Sequence, residues 1–326
     1  MLQTANMPER NEVINVTAGP SQLPLSVLEE AAKGLINFNN TGIGITEISH
    51  RSSEFIRLNE ELESSVRGTL GVPDTHVILF TQGGATTQFA AIPLNLLAWK
   101  FLLKTKKAPS EWTMDYIVTG SWSDKAAEEA ERLGYGAKLN NAADSRHHSA
   151  GVQKNLGPAG LTIVIIRKDL LTDPVEAQTE GAPPIPTMLS YGVASKAKSL
   201  YNTPPMFSMY TTLLVVKHLK AGGGLEKLRE INKQKQAKLY SVLQQAEKAG
   251  KVRIRVQEAS RSWMNVTFDN FKSDEDAKFV EAANKQRIVG VKGHRSVGGI
   301  RISLYNAVTL EQVDKIVAFI KQYYAL

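Results

Sequence analysis

The sequence predicts an α/β fold: a mostly parallel central sheet with helices on both faces, followed by a smaller α+β domain. Three observations predict it. Short apolar, β-branched runs such as Val77–Phe80 and Leu161–Ile166 alternate with amphipathic helical stretches, the pattern of strands covered on both faces. The first of these runs passes through a glycine turn, Gln82-Gly83-Gly84, into a helix, as in doubly wound sheets. Near the C-terminal third, Gly222-Gly223-Gly224 interrupts the chain before a long amphipathic helix and several short strands. The expected division is therefore a large domain over 16–221 and a small one over 222–326, the latter joined by the N-terminal segment 1–15.

In order, a strand-like piece and the Gly19-Pro20 turn lead to Pro24, which opens a helix through about Phe38. The stretch Ile45–Phe55 places His50 and Arg51 in a loop, and Ser53 is positioned to cap a helix over 54–71. Strand Val77–Phe80 then enters the turn Thr81–Gln88, with a helix running to about Leu97. Exposed amides at a helix N-terminus hold an anion such as phosphate, and Ala85, Thr86 and Thr87 lie at that point; a tight βα turn with no ligand is the competing reading. The sequence matches neither a Walker A nor a GxGxxG pattern, so no nucleotide is implied. Strand Asp115–Thr119 leads to Gly120-Ser121-Trp122-Ser123 and a helix from about Asp124. An exposed Trp122 at that βα mouth would stack on a planar ring; core packing is the competing reading. A strand at Ala137–Asn141 and a polar loop over 142–150 follow. His147 and His148 are adjacent, so they read as loop rather than as a metal site.

The segment Gly151–Arg167 carries a single lysine, Lys154, ahead of a glycine- and proline-bearing turn and the apolar run. A lysine held in a partly desolvated pocket becomes an amine nucleophile, and the chemistry that uses one best is a Schiff base with pyridoxal phosphate. A solvated loop lysine is the competing reading. Further on, Pro204-Pro205 keep Asn202 and Thr203 extended. In the smaller domain, a loop over 291–299 brings His294 and Arg295 close to Arg301, a set suited to carboxylate or phosphate; a solvated basic loop is the competing reading.

Composition narrows the function. The chain has 326 residues, 42% of them hydrophobic, and no cysteine, which excludes disulfides and thiolate metal sites. The net charge of +7 is spread along amphipathic helices, with no basic run interleaved with aromatics, so nucleic acid is not the expected partner. The longest apolar run, Phe89–Leu103, is broken by Pro93, Asn95 and Lys100, so no membrane span is expected. The N-terminus lacks an apolar signal core, and a cytoplasmic location is expected.

The motifs NVTAGPSQLP, EISHRS, QGGATTQFAAIPLNLL, GSWS, QKNLGPAGLTIVIIR, LYNTPP and KGHRSVGGIRISLYNA run nearly end to end. Together they resemble the phosphoserine aminotransferases, class V pyridoxal-phosphate enzymes of the aspartate aminotransferase fold (fold type I). The resemblance implies that Lys154 is the Schiff-base lysine and proton carrier. Ala85, Thr86 and Gln153 would hold the cofactor phosphate, and Trp122 would stack on its ring. Asn202 and Thr203 would reach the phosphate of the other subunit, making a homodimer necessary. His50, Arg51, His294, Arg295 and Arg301 would hold the substrate anions. The implied reaction is amino transfer between L-glutamate and 3-phosphohydroxypyruvate, in serine biosynthesis. The glycine-rich HRSVGG and YNTPP loops disfavour another class V activity such as a desulfurase.

One departure stands out. In that family a block on the order of 50 residues or more, room for a strand or two with their connections, lies between the strand at 137–141 and the lysine. Here the nine residues Ala142–Ala150 join them. The absent block would carry a threonine near the cofactor and the aspartate that keeps the pyridine nitrogen protonated. Asp144, in a polar loop, is not assigned that role. The sequence therefore carries two functional expectations, an active aminotransferase and a shortened, weakly active or inactive chain acting as a dimer partner.

Overall fold

A computed structural model describes residues 8–103, 114–118, 120–135, 137–138, 147–151, 154–272, 274–295 and 297–326. In chain order its elements begin with β1 (Ile14–Asn15), α1 (Leu25–Ile36), α2 (Ser53–Leu70), β2 (His76–Thr81) and α3 (Gly84–Leu102). Next come β3 (Met114–Asp115), α4 (Ser121–Arg132), β4 (Ala137–Lys138), β5 (His147–Gly151), β6 (Thr162–Arg167), α5 (Pro174–Thr179), α6 (Tyr191–Lys196) and α7 (Met206–Ala221). The chain closes with α8 (Gly224–Lys248), β7 (Val252–Arg253), β8 (Asn265–Asn270), α9 (Glu275–Lys285), β9 (Ile288–Val289), β10 (Lys292–His294), β11 (Gly298–Ser303) and α10 (Leu310–Tyr324).

The chain divides into two compact units. One comprises residues 29–152 and 159–216, the other residues 1–28, 153–158 and 217–326. This differs from the division read in the sequence, since the segment bearing Lys154 groups with the C-terminal unit.

In the first unit β6 lies between β2 and β5 and runs antiparallel to both. Parallel pairing joins β3 to β4. The expected parallel arrangement thus holds at β3–β4, while the strand after the lysine turns back. Register sets Leu79 opposite Val164 and Val77 opposite Ile166, and Leu79, Val164, Ile166, Ala91, Leu170 and Tyr191 form one core cluster. Helix α3 extends beyond the expected end at Leu97 and passes through Pro93. Proline removes an intrahelical donor; Asn95 Nδ2 donates to the Ala91 and Leu189 carbonyls, each at 2.7 Å, and ties the helix to its neighbour there. Ser52, rather than Ser53, caps α2, accepting from Phe55 N–H. His147 and His148 lie in strand β5, not in a loop. Their polarity concealed a strand whose backbone pairs with Ile166 and Ile165.

In the second unit the sheet order is β10-β11-β8-β7, antiparallel throughout, and β1 pairs parallel with β9. Val266, Phe268, Ile300 and Ile302 alternate inward from β8 and β11 and pack with Leu239, Leu243, Phe279, Ile316 and Ile320 of the helices. Phe279 meets Phe268 edge-on at 5.6 Å, a favourable aromatic geometry. The stretch 291–299 holds β10 and the start of β11, which pair antiparallel, rather than a loop throughout; the glycines at 293, 298 and 299 hid these strands.

Candidate active site

The first unit places an anion-binding helix end beside an exposed aromatic ring. Gly83 caps α3 at φ 87°, and a Cβ there would collide with the Thr87 side chain, so glycine is required. Of the first-turn amides, Gly84 N–H donates to Thr162 Oγ1 at 2.9 Å and Thr87 N–H to the Gly83 carbonyl at 3.4 Å. Those of Ala85 and Thr86 have no hydrogen-bond partner among the described residues, and the first turn carries no acidic residue. An anion therefore meets two open donors and the positive end of the helix.

A buried polar chain supports this turn. Tyr191 O–H donates to Gln88 Oε1 at 2.6 Å, and Gln88 Nε2 reaches Thr81 Oγ1 at 3.4 Å. Burial pushes the Tyr191 phenol far up from its usual range, so it stays a donor. Thr162 is 1% exposed. It was missed in the sequence because a threonine opening a β-branched strand reads as strand propensity alone.

Trp122, the second residue of α4, is 57% exposed, which decides against core packing. Its ring lies 6.4 Å from that of Phe89 on α3, and Lys125 Nζ sits 5.0 Å from the ring centroid. It is placed to stack on a planar group. His50 Nδ1 lies 3.0 Å from Thr203 Oγ1, while His50 Nε2 is buried with no partner among the described residues. Gln82 Nε2 donates to the Thr203 carbonyl at 3.5 Å. Asn202 Nδ2 also donates to that carbonyl, at 3.2 Å. Arg51 is exposed, its N–H bound to Ser49 Oγ at 3.1 Å.

The second unit holds Lys154, His294, Arg295 and Arg301. Lys154 is exposed, in contrast to the partly desolvated setting read from the sequence, because a turn of seven residues separates it from β6. Its amine has no hydrogen bond or ion pair among the described residues, while its backbone is held. Ser21 Oγ donates to the Lys154 carbonyl. Asn306 N–H donates to Oδ1 of the adjacent Asn155 at 3.0 Å. Gly160 closes the turn at φ 112°. His294 and Arg295 are exposed at the β10–β11 hairpin. Arg301 on β11 is half-buried, with Nε shielded from solvent and without a partner among the described residues. A buried, unsatisfied guanidinium nitrogen favours an anion. Gln153 and Asp144 lie outside the described residues. Ser21 and Asn155 were not singled out in the sequence, since neither a serine in a turn nor an asparagine after a lysine announces a long-range contact.

Each unit carries groups of the kind a pyridoxal-phosphate enzyme uses: in the first, two open amides for a phosphate and an exposed ring for stacking; in the second, a lysine amine and a shielded arginine nitrogen without partners among the described residues. The aminotransferase class-V family model matches residues 13–140 and 144–316. The chain belongs to the class-V aminotransferase family, in its phosphoserine aminotransferase branch. A phosphoserine aminotransferase of Desulfotalea psychrophila is 38% identical, covering 97% of this chain and 98% of that relative. A chloroplastic one of Arabidopsis thaliana is 37% identical over 96% of this chain and 85% of its own length. Among solved structures, the phosphoserine aminotransferase of Bacillus circulans subsp. alkalophilus superposes with TM-score 0.85 at 32% identity, covering 96% of this chain and 98% of the other. That of Trichomonas vaginalis, solved with pyridoxal phosphate bound, gives 0.83 at 29% identity over 95% and 99%.

The class-V match is interrupted at residues 141–143. The alignment with the Desulfotalea relative spans 376 positions against 326 residues here, so at least 50 positions of that alignment have no residue in this chain.

Proposed function

We propose that this chain, with pyridoxal 5'-phosphate attached at Lys154, transfers the amino group of L-glutamate to 3-phosphohydroxypyruvate, giving O-phospho-L-serine and 2-oxoglutarate. It acts as a cytoplasmic homodimer in serine biosynthesis. The observation that carries the reading is Lys154 itself, whose carbonyl is held by Ser21 and whose neighbour Asn155 is tied to Asn306, while its amine has no partner among the described residues. An attachment lysine needs that combination.

The cofactor supplies an electron sink for the charge that develops at the substrate Cα. The chain's own groups do the rest. Lys154 would provide the attachment amine and, as a base, would take up the proton from the substrate Cα. Ala85 and Thr86 would hold the phosphate at the α3 N-terminus, and the family resemblance implies Gln153 as a further phosphate ligand. Trp122 covers the ring face and excludes water. His50, Arg51, His294, Arg295 and Arg301 hold the carboxylate and phosphate groups of the substrates. Asn202 and Thr203 complete the phosphate site of the partner subunit. No described helix is long and apolar enough to cross a membrane, in keeping with the proposed location.

The test follows 2-oxoglutarate formation from glutamate, with 3-phosphohydroxypyruvate or pyruvate as acceptor. The reading expects turnover with the phosphorylated acceptor, a strong preference over pyruvate, and none in Lys154→Ala. Equal use of the two acceptors, or unchanged turnover in the variant, contradicts it.

A further inference from the structure

Lys235 on α8 is fully buried, with 0% exposure. No carboxylate pairs with it among the described residues. Instead Nζ donates to the Tyr305 carbonyl at 3.0 Å and reaches the Asn306 carbonyl at 3.4 Å. A buried ammonium without a counter-ion is costly, and burial alone pulls its pKa down to about 8. A methionine would fill the same length at less cost. What only the lysine brings is donors for two adjacent main-chain carbonyls.

Those carbonyls belong to the turn that follows β11, and both anchors of Lys154 lead back to it. Asn306 N–H donates to Asn155 Oδ1 at 3.0 Å, immediately after Lys154 in the chain. Tyr305, 1% exposed, donates from its O–H to the Ala18 carbonyl at 2.7 Å. Ala18 lies three residues before Ser21, whose hydroxyl donates to the Lys154 carbonyl. Asn232, one helical turn before Lys235, donates from Nδ2 to Asn306 Oδ1 at 3.2 Å. Lys235 thus fixes one turn that grips the lysine segment by two arms.

We infer that Lys235 is a positioning residue for Lys154, acting through the Tyr305–Asn306 turn. The inference rests on the reading of Lys154 as the attachment lysine. It assigns Lys235 no contact with substrate or cofactor. Misplacing a reacting group by about an ångström is enough to slow chemistry roughly a hundredfold, so loss of the clamp should register at Lys154 before it registers in the fold.

The test mixes pyridoxal phosphate with the cofactor-free full chain, quenches with borohydride at intervals, and measures the pyridoxyl group on Lys154 by peptide mass spectrometry. Thermal midpoints are measured in parallel. Lys235→Met and Asn155→Ala are each expected to slow attachment about tenfold, and the double variant is expected to be no slower than the worse single, as for residues on one path. Lys235→Arg, which keeps the donors, should recover part of the rate. If Lys235→Met does not fold, Asn155→Ala and Lys235→Arg carry the test, and wild-type attachment in Asn155→Ala overturns the inference. A lowered midpoint with wild-type attachment in Lys235→Met, or additive losses in the double variant, overturns it as well. Absence of label on Lys154 in the unmodified protein overturns both the inference and the reading beneath it, whereas normal labelling of that protein with normal rates in the variants overturns the inference alone.

Discussion

His50 and Thr203, separated by 153 positions in sequence, face each other within one chain, Nδ1 to Oγ1 at 3.0 Å. Whatever Thr203 serves, the imidazole serves from the same side. If Asn202 and Thr203 complete the partner's phosphate site, His50 is delivered to that site with them. Mixing Lys154→Ala chains with Asn202→Ala/Thr203→Ala chains should then restore one intact site per heterodimer, and His50→Ala should complement Lys154→Ala in the same way. Failure of the mixtures to regain turnover, in a protein whose unmodified form is active, contradicts an arrangement shared across subunits.

Thr162 holds the first amide of α3 and so aims the two open ones. Thr162→Val keeps the β-branched shape and removes the acceptor, leaving Gly84 N–H unpaired at a part-buried position. A loss of about 1–2 kcal/mol is expected for such a group, read as roughly a 5- to 30-fold weaker affinity for pyridoxal phosphate by equilibrium dialysis. Unchanged affinity would mean that the turn is set by Gly83 alone.

Lys235 also gives the fold a pH signature. Its pKa in the folded protein is about 8, against 10.5 ordinarily. Between those values the unfolded chain retains a proton that the folded lysine has released, so the Lys235 contribution to stability rises from about pH 8 to about pH 10.5. That contribution is lost as pH falls through 8. Relative to Lys235→Met, the wild type should gain at most about 1.4 kcal/mol per pH unit across this window. Urea unfolding at pH 7.5, 8.5 and 9.5 measures it; the tyrosines that also titrate are common to both proteins and cancel. Parallel stability profiles would contradict the assignment.

The shortened junction between Asn141 and Gly151 bears on turnover. The family resemblance places there the aspartate that protonates the pyridine nitrogen. Loss of an electrostatic partner of this kind costs on the order of 10²–10³ in rate. Inserting the corresponding block of the Desulfotalea relative should raise turnover by that order and raise the melting temperature, since added strands pair sheet backbone. Equal turnover and equal melting temperature in the two proteins would show that another group replaces the aspartate and that the sheet closes without those strands.

Much of this was legible in the sequence because local chemistry dictated it. Gly83 announced the helix end, the run at 162–166 announced a buried strand, and Trp122 stood at the mouth of a turn. What escaped was set by tertiary contact. Thr162 reads as a strand residue until Gly84 is seen above it. Ser21 and Asn155 acquire meaning only when Lys154 and Asn306 are brought to them. His147 and His148 read as loop in the sequence because polar residues in a strand do not show the apolar pattern by which strands are found. The hairpin at 292–303 was hidden by its own glycines.

The central claim is that Lys154 is the attachment lysine. Borohydride reduction of the full chain with pyridoxal phosphate, followed by peptide mapping, tests it directly. The account predicts one pyridoxyl group per chain, on Lys154, and none at all in Lys154→Ala. A label that persists in that variant, or that falls on another lysine in the unmodified protein, contradicts it.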